Sequence, residues 1–152
     1  MSRTLKVAWE EFIRPLFLRP NRVQVAALCY RNSANGKDVL LITSRDTGRW
    51  IVPKGWPIDG LNGPQAALQE AWEEAGVKEA AVQRNPVGEY EYVKQMDSGG
   101  EVSVTTQVYL TEVQELSGDY PEANERERKW VAPAEAANMV QEPQLQDILR
   151  AL

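Results

Sequence analysis

The spacing of apolar positions in residues 22–52 predicts three short β-strands. Residues 22–31 (RVQVAALCYR) are rich in β-forming side chains and short enough for one strand. The next segment, NSANGKD, contains Asn35-Gly36, a turn signal that predicts an antiparallel return over residues 39–45. Residues 50–52 predict a third strand that stops at Pro53. We therefore expect the domain to begin with a hairpin followed by a short third strand.

The pattern then changes to a helical period and back again. Residues 64–75 predict a helix with Pro64 at its first position and Gly76 just after its end. Two alternating segments, residues 88–96 and 101–110, predict a second hairpin around the sequence DSGG. Residues 128–131 predict a further strand, and residues 133–139 and 143–152 predict two helices that each begin with proline.

This order of elements is typical of one mixed α/β (α+β) domain. Helices that alternate with strand-rich segments pack on the faces of a sheet, so we expect an α/β/α sandwich with a mixed sheet. Residues 1–21 are interrupted by Pro15 and Pro20 and are expected to form an N-terminal arm that is helical or irregular. Residues 22–152 then form a single domain of ordinary size.

The residue types of the chain exclude several kinds of chemistry. The 152 residues include no histidine, so a Ser-His-Asp relay or an imidazole-ligated metal is excluded. The single cysteine, Cys29, excludes an internal disulfide and a multi-cysteine zinc site, and is expected to be buried in its strand. Any catalysis must therefore use carboxylates, amines, guanidiniums, hydroxyls or a hard cation bound by oxygen.

The net charge of −5 is unevenly distributed. Residues 1–22 carry five basic and two acidic side chains, whereas the remaining residues carry twelve and twenty. A mostly acidic surface argues against a stable nucleic-acid complex. The longest apolar run, residues 25–30, is far too short to span a bilayer, and residues 1–22 lack a signal-peptide pattern. We expect a cytoplasmic protein whose anionic ligand meets local basic clusters, and a homodimer is compatible with the sequence.

Three glutamates gather on one face of the predicted central helix. Glu70, Glu73 and Glu74 stand at positions i, i+3 and i+4, opposite an apolar face. That apolar face, which we expect to pack into the core, consists of Ala67, Leu68, Ala71, Trp72 and Ala75. A solvated acidic face would give the same pattern. However, no Lys or Arg lies between Gly55 and Val77, and the glutamates stand near the negative end of the helix dipole. A divalent cation, Mg²⁺ or Mn²⁺, would relieve their repulsion.

These residues resemble a known family. Gly55 with Glu70, Glu73, Glu74, Gly76 and Val77 is similar to the Nudix box, G-x5-E-x7-R-E-U-x-E-E-x-G-U, where U is an aliphatic residue. Flanking segments such as TSR, WIVPKG and GEYEY resemble the diphosphoinositol polyphosphate phosphohydrolase branch. Two positions depart from the box: Leu61 stands where a glutamate belongs, and Gln69 stands where an arginine belongs.

The resemblance implies a loop-helix-loop site that hydrolyses a pyrophosphate linkage by water attack at phosphorus. It implies that Glu70, Glu74 and the backbone carbonyl of Gly55 bind Mg²⁺ or Mn²⁺, and that Glu73 is the general base. Because all three carboxylates could share the ions, ligand and base roles can exchange among them. We regard the three glutamates as one catalytic and metal-binding unit.

Basic residues near the box are candidates for binding a small polyphosphate substrate. Arg45, Arg49 and Lys54 flank the strand that leads to Gly55, and Arg126 and Arg128 belong to the later sequence ERERK. Each group has a structural alternative, since Arg49 follows a turn and alternating charges are common on edge strands.

Two functions remain open at this stage. The first is a Mg²⁺-dependent pyrophosphohydrolase acting on a nucleoside diphosphate linked to another group, a dinucleoside or diphosphoinositol polyphosphate, or an RNA 5′ end. The second, favoured by Leu61 and Gln69, is a weakly catalytic domain that binds a phosphorylated ligand without cleaving it.

Overall fold

The computed structural model describes residues 22–152, and the predicted N-terminal arm, residues 1–21, lies outside the described residues. Within residues 22–152 the chain forms eight strands and three helices. Their bounds are β1 Arg22–Ser33, β2 Gly36–Thr43, β3 Trp50–Ile51, β4 Lys54–Gly55, α1 Gly63–Ala75, β5 Val77–Val82, β6 Gly88–Gln95, β7 Glu101–Leu116, β8 Arg128–Val131, α2 Pro133–Met139 and α3 Pro143–Arg150.

The strands form one mixed sheet. Its main path runs β3-β2-β1-β7-β5, while β4 pairs with β1, β6 with β7 and β8 with β2. Strands β1 and β7 are parallel, and the other pairs are antiparallel. The pairing of β4 with β1 sets Lys54 opposite Ala26 and Gly55 opposite Val25. This pairing fixes the residues that precede α1 against the centre of the sheet.

Alternate residues of β1 enter two different cores. Ala26 and Leu28 pack with α2 and α3, whereas Val25, Ala27 and Cys29 pack with α1. Because successive side chains of a strand point to opposite faces, the sheet is covered by helices on both sides. The predicted α/β/α sandwich and the buried Cys29 are confirmed.

Helix α1 has a start and an end that its sequence specifies. The Asn62 side chain accepts a hydrogen bond from the Gln65 amide, and the Gln65 side chain accepts one from the Asn62 amide. This reciprocal capping box satisfies two amides that the helix leaves free. At the other end Gly76 adopts a left-handed conformation, φ 72°, which suits glycine.

The buried face of α1 differs from the predicted one. Its alanines and Glu74 are buried, whereas Leu68 and Trp72 are only half-buried. The prediction that Trp72 belongs to the core is therefore wrong. The small alanine side chains let the helix approach the sheet, and the larger Leu68 and Trp72 lie at the flank of this contact.

Strands β4, β5 and β7 differ most from the sequence prediction. Strands β4 and β5 were not predicted, and β7 continues to Leu116 rather than stopping near residue 110. Strand β5 lies at the end of the main sheet path and has exposed positions at Lys78, Glu79 and Ala81. Its sequence therefore lacks the alternation of apolar and polar residues that indicates a strand with one buried face. Within residues 22–152, none of the helices has the length and apolar character needed to cross a membrane.

Candidate active site

A cavity of about 490 Å³ lies beside α1 and β4. Five carboxylates and four cationic side chains line it within the described residues. The acidic group is Asp46, Glu70, Glu73, Glu74 and Glu122, and the basic group is Arg45, Lys54, Lys94 and Arg126. The three glutamates predicted from the helix thus share a cavity with three of the five predicted basic residues.

Glu70 and Glu74 form a close pair at the base of this cavity. Their carboxyl groups are joined by a hydrogen bond, and the Glu70 carboxylate lies against the α-carbon of Gly55. Burial, then the hydrogen bond to Glu74, raise the pKa of Glu70 to about 8. Burial also raises the pKa of Glu74. Two carboxyls in such contact require a shared proton or a bound cation.

Glu74 is 7% exposed and is held from two sides. The backbone amide of Lys54 donates a hydrogen bond to Oε1 of Glu74, with 3.2 Å between the atoms. The guanidinium of Arg126 lies 3.7 Å from Oε2. The helix therefore presents this carboxylate to β4 and to the segment before β8, not to solvent.

Glu73 lines the same cavity and has a different partner. The side-chain amide of Gln69 donates a 2.8 Å hydrogen bond to Oε1 of Glu73. The backbone carbonyl of Glu73 accepts a bond from the Glu122 amide, which ties the end of α1 to the loop that carries Glu122. The structure thus separates the three glutamates into a contacting pair and a third carboxylate anchored by Gln69.

The donor atoms at the pair fit a hard divalent cation. Carboxylate oxygens of Glu70 and Glu74 lie side by side next to Gly55, and histidine and thiol ligands do not line this cavity. Across residues 22–152, however, no cluster of three or more acidic or thiol side chains is arranged as a ready-made metal site. Glu70 and Glu74 are therefore the residues that would hold the cation first, with Glu73 displaced toward Gln69.

Two of the predicted basic residues are already paired with acids in the cavity. The side chain of Arg126 is 7% exposed; it lies 2.9 Å from Glu122 and donates to the backbone oxygen of Thr43. Arg45 is 53% exposed and lies 3.6 Å from Glu122 and 3.5 Å from Glu125. Arg126 is consequently a fixed charge beside Glu74, whereas Arg45 is a solvated charge at the cavity mouth.

Lys54 faces the opposite wall of the cavity. Its ammonium lies 5.1 Å from the centroid of the Tyr92 ring, a cation–π contact. Burial lowers the pKa of Lys54 to about 8, opposed by the attraction of Glu74. The lysine that precedes Gly55 therefore contributes its amide to Glu74 and its ammonium to the cavity.

The other two predicted substrate contacts have structural partners instead. Arg49 donates two hydrogen bonds to the buried carboxylate of Glu142, at 2.9 and 3.2 Å. Arg128 donates a 2.8 Å bond to the backbone oxygen of Ala75 and packs over the Tyr120 ring. Neither arginine lines the cavity. These contacts also differ from the structural alternatives, because Arg49 pairs with a distant carboxylate and not with its turn, and Arg128 bonds the end of α1.

Several cavity residues were not identified from the sequence. They are Gln24, Ser44, Asp46, Tyr92, Lys94 and Glu122. Strand periodicity could have indicated part of this set, because Tyr92 and Lys94 stand two apart and share one face of β6. Their position next to Lys54 depends on long-range pairing of β6, β7 and β1, which a local pattern does not contain.

The two departures from the box lie together on the other side of α1. Leu61 and Gln69 line a groove with Leu68 and Trp72, and Leu61 is 39% exposed there. Gln69 also reaches Glu73 in the cavity. Uncharged residues thus occupy both the glutamate position and the arginine position of the box. Because both charges are missing together, no unpaired charge is left behind.

Comparisons with known proteins agree with this geometry. A family model described as NUDIX domain matches residues 20–152. The chain is 31% identical to Nudix hydrolase 13, mitochondrial, of Arabidopsis thaliana over 76% of its own length and 59% of that protein. It is 30% identical to human diphosphoinositol polyphosphate phosphohydrolase 3-alpha over 78% of its length and 68% of that protein. The chain therefore spans about three fifths to two thirds of these relatives.

Solved structures share the fold at lower identity. A C. elegans Ap4A hydrolase has a TM-score of 0.64 at 18% identity, and the match covers 86% of this chain and 95% of that one. The NUDIX domain of Shewanella oneidensis NrtR, solved with ADP ribose, has a TM-score of 0.66 at 18% identity, covering 99% and 97%. The sheet with its carboxylate-bearing helix and the matched family model show that this chain belongs to the Nudix hydrolase family.

Proposed function

We propose that this protein hydrolyses a pyrophosphate linkage with the help of Mg²⁺ or Mn²⁺. The substrate class is a nucleoside diphosphate linked to another group, a dinucleoside polyphosphate or a diphosphoinositol polyphosphate. One observation carries the proposal: the Glu70–Glu74 pair lies in a cavity that also presents four cationic side chains. Hydrolysis at phosphorus uses carboxylates that bind a metal ion together with basic side chains that bind the phosphate groups.

The chain's own residues divide the work of such a reaction. Glu70 and Glu74 would hold the cation, which supplies neutralisation of the pyrophosphate oxygens and activation of water. Arg126, fixed beside Glu74, and Arg45 at the mouth would orient the phosphates. Glu73, held by Gln69, is the carboxylate available to accept a proton from the attacking water.

A second candidate function is ligand binding without cleavage. It is favoured by Gln69, which anchors Glu73 through a neutral amide where the box has an arginine, and by Leu61. The Gln69 amide carries no positive charge, so Glu73 lacks the direct attraction and the bidentate geometry that an arginine would supply, and it is held less firmly than in an ion pair. This candidate predicts saturable ligand binding and no product with either metal.

A hydrolysis panel tests the proposal directly. Diadenosine tetraphosphate, a diphosphoinositol pentakisphosphate and ADP-ribose are incubated with Mg²⁺ or Mn²⁺, and released phosphate and nucleotides are measured. We expect metal-dependent turnover of at least one compound and a fall in kcat/KM of about 10²–10⁴ in Glu74→Gln and Glu73→Gln. Glu89→Gln, an exposed strand glutamate outside the cavity, is the matched control and should retain wild-type rates.

The outcomes separate the two candidates. Turnover that both variants retain would overturn the assignment of the glutamates. Binding of a panel compound with no product after long incubation would favour the non-cleaving alternative.

The cytoplasmic location stays a prediction, and three Arabidopsis thaliana relatives are named as mitochondrial proteins.

A further inference from the structure

Lys94 is a cavity cation to which the pyrophosphohydrolase proposal gives no individual role. It lies on β6 two residues after Tyr92, so both side chains are on the same face of the strand. Both line the cavity, together with Lys54. Lys54, Tyr92 and Lys94 therefore follow one another along one wall, starting from the lysine whose amide bonds Glu74.

The two lysines differ from the two arginines of the cavity in their partners. Arg45 and Arg126 each lie within 4 Å of carboxylate oxygens. Within residues 22–152, no carboxylate stands at ion-pair distance from the ammonium of Lys54 or of Lys94, although five carboxylates line the same cavity. Glu74 and Glu142 attract Lys54, but no carboxylate of residues 22–152 holds either ammonium in an ion pair, so both ammonium groups are available to an anionic ligand.

Tyr92 gives this wall a defined shape. Its hydroxyl donates a hydrogen bond to Oε1 of Gln24 on β1, which holds the ring in place. The ring packs under the Lys54 ammonium at 5.1 Å. Lysine is a compact point charge that binds phosphate oxygens without the planar geometry that arginine requires. The wall is thus suited to a single tetrahedral anion.

We propose that Lys94, with Lys54 and Tyr92, forms a subsite for a phosphate beyond the pyrophosphate linkage that is cleaved, so that substrates with three or more phosphates are preferred. The inference rests on the proposed function, which sets cleavage at Glu70 and Glu74. Lys94 stands two strand residues, roughly 6.6 Å along β6, beyond Tyr92 and so away from that centre. ADP-ribose has two phosphates and would leave the subsite empty, whereas diadenosine tetraphosphate and diphosphoinositol polyphosphates would fill it.

The kinetic test compares two substrates in matched variants. We expect Lys94→Gln to lower kcat/KM for diadenosine tetraphosphate about tenfold through KM, a change equivalent to about 1.4 kcal/mol. The value for ADP-ribose should change less than about twofold, and Lys94→Arg should restore most of the loss. Lys37→Gln is the control, because Lys37 also lies over a tyrosine ring, 5.7 Å from that of Tyr30, but outside the cavity. It should leave both substrates unaffected.

A binding measurement keeps this inference separate from the reaction. Titration calorimetry with inorganic tripolyphosphate and with pyrophosphate is performed on the metal-free protein. Weaker tripolyphosphate binding in Lys94→Gln with unchanged pyrophosphate binding would support the subsite, even if the wild-type protein cleaved no panel compound and the proposed function failed. The inference would be overturned if Lys94→Gln weakened the binding of tripolyphosphate and pyrophosphate equally, or lowered kcat/KM equally for diadenosine tetraphosphate and ADP-ribose. It would also be overturned if Lys94→Gln kept wild-type binding and wild-type kcat/KM for diadenosine tetraphosphate.

Discussion

The Glu70 carboxylate lies directly against the α-carbon of Gly55, so that a methyl group at this position would collide with the carboxylate oxygens. Glycine is required here because the Glu70 carboxylate approaches the backbone closely. The backbone conformation itself does not require glycine, since the φ angle of Gly55 is not positive. Strand β4 and helix α1 are thereby brought close enough for the Lys54 amide to bond Glu74. The position of the carboxylate pair depends on this contact.

Gly55→Ala should therefore displace Glu70 and weaken the site. We expect little change in the free energy of unfolding, because the methyl group meets only the far end of the flexible Glu70 side chain, and a fall in activity of about 100-fold from the misplaced carboxylate. Urea unfolding and the panel assay measure the two effects. Gly118→Ala is the control, because a methyl group there meets no atom within 4 Å. Normal activity in Gly55→Ala would contradict the proposed role of this contact.

The stability of the metal-free protein should fall as the pH rises from about 5 to 8. The folded-state pKa of Glu70, about 8, lies above its ordinary value of 4.5. The folded protein therefore binds a proton that the unfolded chain has released, and this stabilisation is lost as the pH passes the folded pKa. Thermal unfolding in EDTA should give a lower Tm at pH 8.5 than at pH 6.

Glu70→Gln supplies the matched comparison for this pH dependence. The amide has no proton to lose in this range, so the variant should show a smaller decrease of Tm over the same interval. If the wild-type protein and Glu70→Gln have the same slope, the contact between the Glu70 and Glu74 carboxyls does not control the pH dependence.

Local sequence patterns predicted the elements that are stabilised by interactions between residues close together in the sequence. Helix α1 has its proline, its glycine end and its glutamate spacing in one stretch of sequence, and the structure confirms the helix with its first residue one position earlier than predicted, at Gly63. Strand β5 could not be predicted in this way. Its alternation is masked by Lys78, Glu79 and alanines, and it is a strand because β7 pairs with it. Long-range pairing, not local preference, determines this edge of the sheet.

The same distinction explains the basic residues. Arg49 and Arg126 are equivalent candidates in the sequence, since both are arginines near the expected site. Arg49 meets Glu142, 93 residues later, and Arg126 meets Glu74, which precedes it by 52 residues on α1. Only the folded arrangement decides which guanidinium faces the cavity. Lys94 was missed because β6 has no local motif that connects it with Lys54.

Arg128 should contribute to stability and not to substrate binding. Its guanidinium satisfies the carbonyl of Ala75 at the end of α1 and packs over Tyr120. Loss of a charged hydrogen bond typically costs about 1.5–3 kcal/mol, so Arg128→Ala should lower the free energy of unfolding by about 2 kcal/mol. Its KM should match that of the wild-type protein at a temperature where both are folded.

The neighbouring Lys129 provides the control for this prediction. It is exposed, and Lys129→Ala removes a positive charge next to Arg128 without removing a helix contact. We expect its stability and KM to be unchanged. A higher KM in Arg128→Ala alone would indicate that Arg128 reaches the substrate after all.

Leu61 and Gln69 should be energetically coupled, because they line one groove at the two positions where the chain departs from the Nudix box. Leu61→Glu alone sets a carboxylate beside Leu68 and Trp72, and the cation of this groove, Lys78, already lies 3.7 Å from Glu115, so the new carboxylate lacks a cation of its own. Gln69→Arg supplies that cation, so the double variant should be more stable than the sum of the single changes predicts. Neighbouring residues typically give interaction energies of about 0.5–3 kcal/mol, which a double-mutant cycle in urea can measure.

A second cycle tests whether this coupling is specific to the groove. Leu61→Glu is combined with Gln95→Arg, which adds the same cation on the exposed end of β6, outside the groove. Residues far apart usually give additive changes within about 0.5 kcal/mol, so this cycle should show no coupling. If both cycles are additive, the two departures from the box are independent replacements. If only the first is coupled, the chain has exchanged an ion pair for a neutral contact at a single place, and its glutamates retain their positions without the arginine.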